Sequence, residues 1–366
     1  MNNENRNGLA EMNGRVGAAW TSLLERIHVQ RGVGRMAFLL IATFAFFAIL
    51  KPSVFLNPVN LTNIAVAAPE IGLLSLAVML AMLTGGIDLS VVAIANGTAV
   101  TVSSLYTAIA AAQGEAQAEA MTPVIIFAGI LVGAALGAIN GVLISIVGIT
   151  PILATLGTMQ VFNGLALVWT GGVTISGAPS ALTAMGDTAI AGIPVLMIIL
   201  IVAAAVVALV INRTPIGRKI QLQGANPVAS RFSGISARAT LMVTYLMSGL
   251  LAAIAGLLFL SRNPSASADY GSSYVLLVIV IAVLGGTNPN GGFATVMGVV
   301  LATLTLQVLS SGFTAMRLSA YEYAIAQGVI LVGVMVLDQV KFTRRRRTKS
   351  PNPTEDHTAV VQSNSL

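Results

Sequence analysis

The sequence predicts an all-α polytopic membrane protein with about ten transmembrane helices, some of them short or broken. Hydrophobic residues make up 56% of the chain and charged residues only 9%, whereas a soluble domain carries about 25% charged residues. Apolar runs of about 20 residues recur along the chain, and each is long enough for one helix to cross roughly 30 Å of hydrocarbon. The closely spaced turn signals of a soluble α/β protein are missing.

The apolar runs define ten predicted spans, at 35–52, 60–84, 91–112, 122–148, 152–172, 192–212, 238–261, 273–286, 293–313 and 321–341. Pro69 and Glu70 make the second span a candidate for a broken helix, because proline removes a helical hydrogen bond. The eighth span is short for a complete crossing.

Basic residues predict the orientation of these spans. With ten spans, the arginines and lysines before the first span, between the sixth and seventh, and after the last all fall on one side of the membrane. Only Lys51, Arg262 and Arg317 fall on the other side. The positive-inside rule then places both termini in the cytoplasm. The net charge of +6 comes from basic residues that we expect to bind lipid headgroups, so it does not indicate a nucleic-acid partner.

The chain divides into three predicted parts. Residues 1–34 form a cytoplasmic leader, which is either an amphipathic helix on the membrane surface or a disordered segment. Residues 35–341 form the transmembrane domain, with a large cytoplasmic loop at 212–238. Residues 342–366 form a basic and then polar disordered cytoplasmic tail.

No catalytic site can be assembled from the residues that lie in the membrane. The chain has no cysteine, and its two histidines, His28 and His357, lie in polar terminal segments. It has no Gly-Lys dipeptide, so it cannot bind ATP through a P-loop of its own. We therefore expect a protein that is not an enzyme and has no metal or cofactor. Uphill transport would draw on an ion gradient or on a separate ATPase.

Small residues recur at helical spacing in two spans. The fourth span carries Gly129, Gly133, Gly137 and Gly141, and the seventh carries Ser248, Ala252 and Gly256. Small residues four apart let helix backbones approach closely in lipid, so this pattern predicts tight packing. The alternative is that these smooth faces slide during a transport cycle.

Two acidic residues of the first half are candidates for a function in the membrane, namely Glu70 within the second span and Asp88 before the third. A charge at mid-membrane costs roughly 2.5–3.5 kcal/mol on insertion scales. Asp88 lies in "TGGIDLSV", where Gly85 and Gly86 let the chain reverse at the cytoplasmic edge. Water there would remove most of the cost, and Asp88 is predicted to cap the third span. Glu70 either lines a pathway or is structural.

The cytoplasmic loop contains "NPVASRFSGI", which predicts a short helix. Asn226 is a good cap, Pro227 suits the first helical position, and Gly234 is a C-terminal stop. Such a helix outside the membrane is either a docking element for a soluble partner or part of an ordinary loop held against lipid headgroups.

Four blocks of sequence together resemble one family. They are "TGGIDLSV" (84–91), "NGVLISIVGITPILATLGTM" (140–159), "GANPVASRFSGI" (224–235) and "AVLGGTNPNGGFATVMG" (282–298). In this order and spacing they are similar to the permease subunits of bacterial ribose-type, or simple-sugar, ABC importers. The resemblance covers about residues 35–341.

The resemblance implies a ten-span permease in the bacterial inner membrane that works as a homodimer. Its partners would be a cytoplasmic ABC ATPase subunit, which binds the ATP, and a periplasmic substrate-binding protein. The coupling segment would comprise Gly224, Ala225, Asn226, Pro227, Ser230, Arg231 and Gly234. Candidate residues of the translocation pathway or its gate are Glu70, Gly85, Gly86, Asp88, Asn140, Thr155 and Thr158. A pentose, a hexose, a polyol and a signalling furanose all fit as the solute.

Two other functions remain open from the residues. An ion-coupled secondary transporter would use Glu70 and Glu322. A membrane scaffold without transport would tolerate disruption of the short cytoplasmic helix. The shortage of buried charge favours a pathway for neutral, hydroxyl-rich solutes.

Overall fold

The computed structural model describes residues 31–319, 321–326 and 328–329. Its first helices are α1 (Arg31–Leu50), α2 (Pro52–Phe55), α3 (Pro58–Leu83), α4 (Val91–Gln113), α5 (Glu115–Ala120), α6 (Thr122–Val142) and α7 (Pro151–Thr170), with a π-helical turn at Leu143–Val147. The later helices are α8 (Ser180–Asp187), α9 (Val195–Arg213), α10 (Pro215–Ala225), α11 (Pro227–Phe232), α12 (Ala237–Arg262), α13 (Tyr274–Leu284) and α14 (Val296–Ala315). Two-residue strands complete it at β1 (Ile175–Ser176), β2 (Ala189–Ile190), β3 (Ile193–Pro194) and β4 (Ser265–Ala266).

The all-α polytopic class is confirmed. In the described part of the chain, eight helices are long and apolar enough to cross a membrane, and they coincide with eight of the predicted spans. The eighth predicted span is the 11-residue helix α13, which at 1.5 Å per residue covers about half of the hydrocarbon thickness. Most of the tenth predicted span, nearly all of the leader 1–34, and the tail 342–366 lie outside the described residues.

The second span is a continuous helix, so the expectation of a break at Pro69 is wrong. Helix α3 runs from Pro58 to Leu83 with Pro69 inside it. Within an apolar stretch of 18 residues, long enough to cross a membrane, 89% of α3 is buried, compared with 11% of α1. Neighbouring helices can re-satisfy the backbone groups that a proline frees, so the surrounding packing keeps α3 intact. Helix α3 is therefore the central helix of the bundle.

Helix α12 packs along α3, α4 and α6, and small residues make these contacts close. A Cβ on Gly137 of α6 would lie 2.8 Å from the Cα of Gly249 on α12. Gly133 abuts Ala253, and Gly256 abuts the Ala95 carbonyl of α4. The predicted tight packing of the glycine-bearing spans is thus confirmed, and no Cβ fits between α6 and α12 at Gly137 without a shift.

The turns between helices gather at two ends of the bundle. We call one of them the inner end and define it by residues 84–90, 148–150, 214–236 and 285–295. At this end Gly86 contacts Pro151, and Gly224 contacts Leu83. The outer end carries the antiparallel pair β1–β4 and the hairpin β2–β3. The orientation predicted from the basic residues places the inner end on the cytoplasmic side.

At the outer end, helix α8 is fastened to α5. The Glu119 carboxylate accepts hydrogen bonds from the Ser180 N–H at 2.9 Å, the Ser180 hydroxyl at 2.8 Å and the Tyr106 hydroxyl at 2.8 Å. Desolvation raises the pKa of Glu119, but these hydrogen bonds outweigh it and lower the pKa below its ordinary value. Gly186 of α8 packs directly on the Ser261 carbonyl. Helix α8 is therefore fixed at both of its ends.

The described residues belong to two units, one ending at Leu318 and the other beginning at Ser319. In the second unit, the Glu322 carboxylate accepts from the Ser319 N–H at 2.6 Å, and the Glu322 N–H donates to the Ser319 hydroxyl. This reciprocal pair is a capping box at the start of a helix. It gives Glu322 a structural use within its own segment.

The glycine contact between α6 and α12 generates a stability prediction. We expect Gly137→Ala to lower the free energy of unfolding by about 1–3 kcal/mol, because the new methyl group must displace backbone atoms. Gly97→Ala is the matched control, since the added methyl meets only the Leu136 Cδ1, at 3.3 Å. Thermal unfolding of both variants in mild detergent measures the difference. Equal midpoints would show that the α6–α12 contact is looser than the structure has it.

Candidate translocation gate and coupling face

The Asp88 side chain is completely buried at the inner end, between α3 and α4. Its Oδ1 accepts hydrogen bonds from the Ser90 N–H at 3.0 Å and the Ser90 hydroxyl at 2.7 Å. Its Oδ2 accepts from the Ser248 hydroxyl of α12 at 2.8 Å. Hydrogen bonds to a carboxylate are stronger than those between neutral groups. The acid therefore has three donors in place of water.

Hydroxyl and amide groups extend these contacts to two further helices. The Asn140 side-chain N–H of α6 donates to the Ser90 hydroxyl at 2.7 Å. The Thr158 hydroxyl of α7 donates to the Asn140 Oδ1 at 2.6 Å. Asn140 is fully buried and Thr158 is 6% exposed. The chain of contacts thus connects the turn to α6, α7 and α12.

Thr155 of α7 holds the backbone of the same turn. Its hydroxyl oxygen accepts from the Leu89 N–H at 3.1 Å and lies 3.1 Å from the Ile87 carbonyl oxygen. We call the set Asp88, Ser90, Asn140, Thr155, Thr158 and Ser248 the Asp88 network. The Asp88 network supplies hydrogen-bond partners for backbone groups of the buried turn that have no partner within α4.

Two expectations about Asp88 are wrong. Asp88 is not exposed to water at the edge of the membrane, because the turn folds beneath α7 and α12. The N-cap residue of α4 is Ser90 and not Asp88, although Asp88 does accept the backbone N–H of Ser90 just before the helix, as predicted. Ser90 makes no side-chain capping bond. Its hydroxyl instead donates to Asp88. Ser248, for which the sequence indicated only packing, supplies the third donor from 160 residues away.

The two glycines before Asp88 have different uses. Gly85 adopts a φ of 84°, which favours glycine. A Cβ on Gly86 would lie 2.6 Å from Pro151 Cβ and 2.7 Å from the Tyr245 hydroxyl oxygen. Gly86 therefore lets the turn seat against the start of α7 and the buried Tyr245.

A second cluster of glycines joins the turn to the loop at 212–238. Gly224, at the end of α10, packs on the Leu83 carbonyl, and the Gly292 N–H donates to that same carbonyl at 3.0 Å. A Cβ on Gly291 would lie 2.7 Å from the Gly224 carbonyl oxygen and 2.9 Å from the Gly85 nitrogen. We call these four glycines with Leu83 the glycine junction. It leaves no room for a side chain between the three segments.

The short helix predicted in the cytoplasmic loop is present as α11. The Asn226 Oδ1 accepts from the Ala229 N–H at 3.0 Å, Pro227 occupies the first helical position, and Gly234 follows the helix with a φ of 75°. Ser230 is 3% exposed, whereas Val228 and Phe232 are 66% and 89% exposed. Helix α11 thus presents two apolar side chains, one turn apart, away from the bundle.

Glu70 lies outside the Asp88 network. It is 13 residues before Leu83 on α3, which places it about 20 Å from the inner end. Its Oε1 lies 2.7 Å from the Arg262 Nη1 at the end of α12, and its side chain is 1% exposed. The structure therefore unites Asp88, Asn140, Thr155 and Thr158 and gives Glu70 a separate, paired position.

Among the described residues, no group of three or more His, Cys, Asp and Glu side chains could hold a metal ion. The inner end offers buried hydroxyls, one carboxylate and close backbone contacts. Its chemistry is that of holding segments together by hydrogen bonds.

Residues 60–337 match the family model described as a branched-chain amino acid transport system permease component. The chain is 34% identical over 297 residues to the ribose import permease protein of Bacillus subtilis strain 168, covering 80% of this chain and 88% of that protein. It is 30% identical over 305 residues to the D-allose transport system permease protein of Escherichia coli K12, covering 83% and 90%. The chain belongs to the family of ribose-type ABC importer permeases.

A third relative is the autoinducer 2 import system permease protein of an Enterobacter strain, 32% identical over 311 residues, covering 84% of this chain and 88% of that protein. No solved structure shows a significant match to this chain. The permease is a multi-pass protein of the bacterial inner membrane.

The four sequence blocks that resemble the family meet at the inner end of the permease. Blocks 84–91 and 140–159 form the Asp88 network, apart from Ser248. Blocks 224–235 and 282–298 join the first block at the glycine junction. Blocks that are distant in the sequence therefore lie together in the fold.

The Asp88 network generates a second stability prediction. We expect Ser248→Ala to lower the free energy of unfolding by about 1–3 kcal/mol, because Asp88 Oδ2 loses its donor while remaining buried. Ser75→Ala is the control, since the buried Ser75 hydroxyl donates only to the Ile71 carbonyl of its own helix. Thermal unfolding in detergent compares the two. A larger loss for Ser75→Ala would contradict the role assigned to Ser248.

Proposed function

We propose that the permease is the membrane-spanning subunit of an ATP-driven importer for a sugar or sugar-like solute. In this proposal, a separate ABC ATPase subunit hydrolyses ATP, a periplasmic binding protein delivers the solute, and two permease copies form a homodimer. The observation that carries the proposal is the continuous contact from α11 through the glycine junction to the Asp88 network. The names of the ribose, D-allose and autoinducer 2 relatives support the solute class.

Helix α11 has the properties of a docking element. It is fixed at its start by Asn226 and at its end by the turn at Gly234, so its position relative to α10 and α12 is defined. Val228 and Phe232 form an exposed apolar pair beside Arg231. Aromatic and arginine side chains are enriched at protein interfaces. This pair would insert into a groove of the ATPase.

The glycine junction would convey ATPase movement to the gate. Displacement of α11 moves Gly224, and Gly224 abuts both Leu83 and the segment at Gly292. Because packed backbones are not compressible, the turn at residues 84–90 must move with them. The Asp88 network then pulls on α6, α7 and α12 together. This coupled motion would switch access between the two sides of the membrane.

Ion coupling is less well supported. Glu70 is paired with Arg262, and Glu322 caps its own helix. A carboxylate that binds a coupling ion in each cycle must exchange that ion, and a neutralised or capping carboxylate is poorly suited to do so.

The docking role of α11 generates a prediction. We expect Phe232→Glu and Val228→Glu each to abolish co-purification of the ABC ATPase in mild detergent, because a charge cannot enter an apolar groove unpaired. Ile216→Ser on α10 is the control, since Ile216 is also exposed, at 44%, but does not lie on α11. Mass spectrometry of the purified complexes identifies the ATPase. Full retention in both glutamate variants would overturn the proposed docking face.

The energy source is tested separately by uptake. We expect ATP depletion to stop sugar uptake and an ionophore at maintained ATP to leave it unchanged. The reverse pattern, together with loss of uptake in Glu70→Gln, would replace the ATP-driven proposal with an ion-coupled transporter.

A further inference from the structure

A polar cavity of about 500 Å³ lies at the outer end, between α3, α8, α12 and α14. Its volume falls within the range of about 300–1,000 Å³ that small-molecule sites occupy. None of its lining residues belongs to the Asp88 network or the glycine junction. The cavity is thus a separate feature, toward the side from which an imported solute would arrive.

Part of the polar lining holds the helices together. The Ser311 hydroxyl of α14 donates to the Asn60 Oδ1 of α3 at 2.8 Å, and the Asn60 side-chain N–H donates to the Phe55 carbonyl at 2.8 Å. These contacts fix the two walls with respect to each other.

Two other polar side chains of the lining are available to bind a solute. Within the described part of the chain, the side-chain amides of Asn63 on α3 and Gln307 on α14 make no hydrogen bond to the protein; Asn63 is exposed, Gln307 is half-buried, and both line the cavity. Each amide offers both a donor and an acceptor. Two such groups on neighbouring helices can bond both the donor and the acceptor functions of carbohydrate hydroxyls.

The charges at the cavity disfavour an anionic solute. Arg262 is part of the lining and is 28% exposed, and the buried Glu70 behind it neutralises its charge at 2.7 Å. The guanidinium carries five N–H donors, of which one carboxylate contact uses only some. Asp187, also in the lining and exposed, disfavours anions. The cavity therefore offers hydrogen-bond donors without net positive charge.

Helix α8, which lines one side of the cavity, is also fixed. Helix α8 contributes Gly186 and Asp187, and it is held by the Glu119–Ser180 contacts at one end and by Ser261 at the other. A site whose walls are set before binding loses less entropy when the solute enters.

We infer that this cavity is an outer solute subsite within each permease protomer, which binds a neutral polyhydroxylated solute such as a pentose or hexose. The inference rests on the proposed import function and adds a location for the solute before it passes the gate. Asn63, Gln307 and Arg262 would provide its hydrogen bonds.

The absence of cysteine from the permease allows a direct test. Ser310→Cys places a nearly isosteric thiol on the cavity wall, and Val308→Cys places one on the same helix within the core, where Val308 is 4% exposed. Right-side-out vesicles containing the importer are treated with a membrane-impermeant thiol reagent. D-ribose and D-allose are the probes. The labelling rate is measured at increasing concentrations of each sugar, and the uptake of both sugars is measured in the unsubstituted importer.

We expect the Ser310→Cys thiol to react at least about tenfold faster than the Val308→Cys thiol, which reacts only on local opening. At a sugar concentration about ten times its Kd, labelling slows about tenfold, because only the empty fraction reacts. Adding Gln307→Leu raises the protecting concentration about tenfold, through loss of one hydrogen-bonding side chain.

Each other outcome is decisive. An unreactive Ser310→Cys thiol shows that the cavity is closed to the outer side and overturns the subsite. Rapid labelling without protection, in an importer that takes up either sugar, also overturns the subsite but leaves the proposed function standing. Failure of both sugars to be imported and to protect rules out D-ribose and D-allose as solutes and overturns the assignment of the cavity to such a pentose or hexose.

Discussion

The buried carboxylate of Asp88 is the constraint on which the arrangement of the inner end depends. An unpaired charge in an apolar interior is costly, so three donors must be held around it at once. They come from the turn itself and from α12, and Asn140 and Thr158 extend the contacts to α6 and α7. The acid thus connects the turn to α12 directly, and Ser90 and Asn140 extend this connection to α6 and α7.

The small residues make this arrangement sterically accessible. Ser248 reaches Asp88 because α12 lies against α6 with Gly249 touching Gly137, and a side chain at either glycine would force the two helices apart. Gly86 similarly lets the turn seat against Pro151. Close packing and hydrogen bonding thus act together: the glycines permit the approach, and the hydroxyls give it a specific register.

Local rules predicted the helices well, including α11, because Asn226, Pro227 and Gly234 act on their immediate neighbours. The burial of Asp88 could not be predicted in the same way, since its donor Ser248 is 160 residues distant and resembles any small helix-packing residue. The break expected at Pro69 failed for a related reason: the packing around α3 overrides the local effect of proline. The pairing of Glu70 with Arg262 likewise depends on how α3 and α12 pack together.

The continuity of α3 links the two ends of the permease. Its 26 residues span about 39 Å, with Leu83 in the glycine junction and Asn60 and Asn63 on the cavity wall. A broken helix would absorb movement at the break, whereas an intact one conveys it. In the proposed cycle, displacement of Leu83 would therefore reach the outer cavity along a single rigid element. Packed interfaces are bistable and do not deform continuously, so this movement would switch the bundle between discrete arrangements, with the Asp88 hydrogen bonds broken in one and formed in the other.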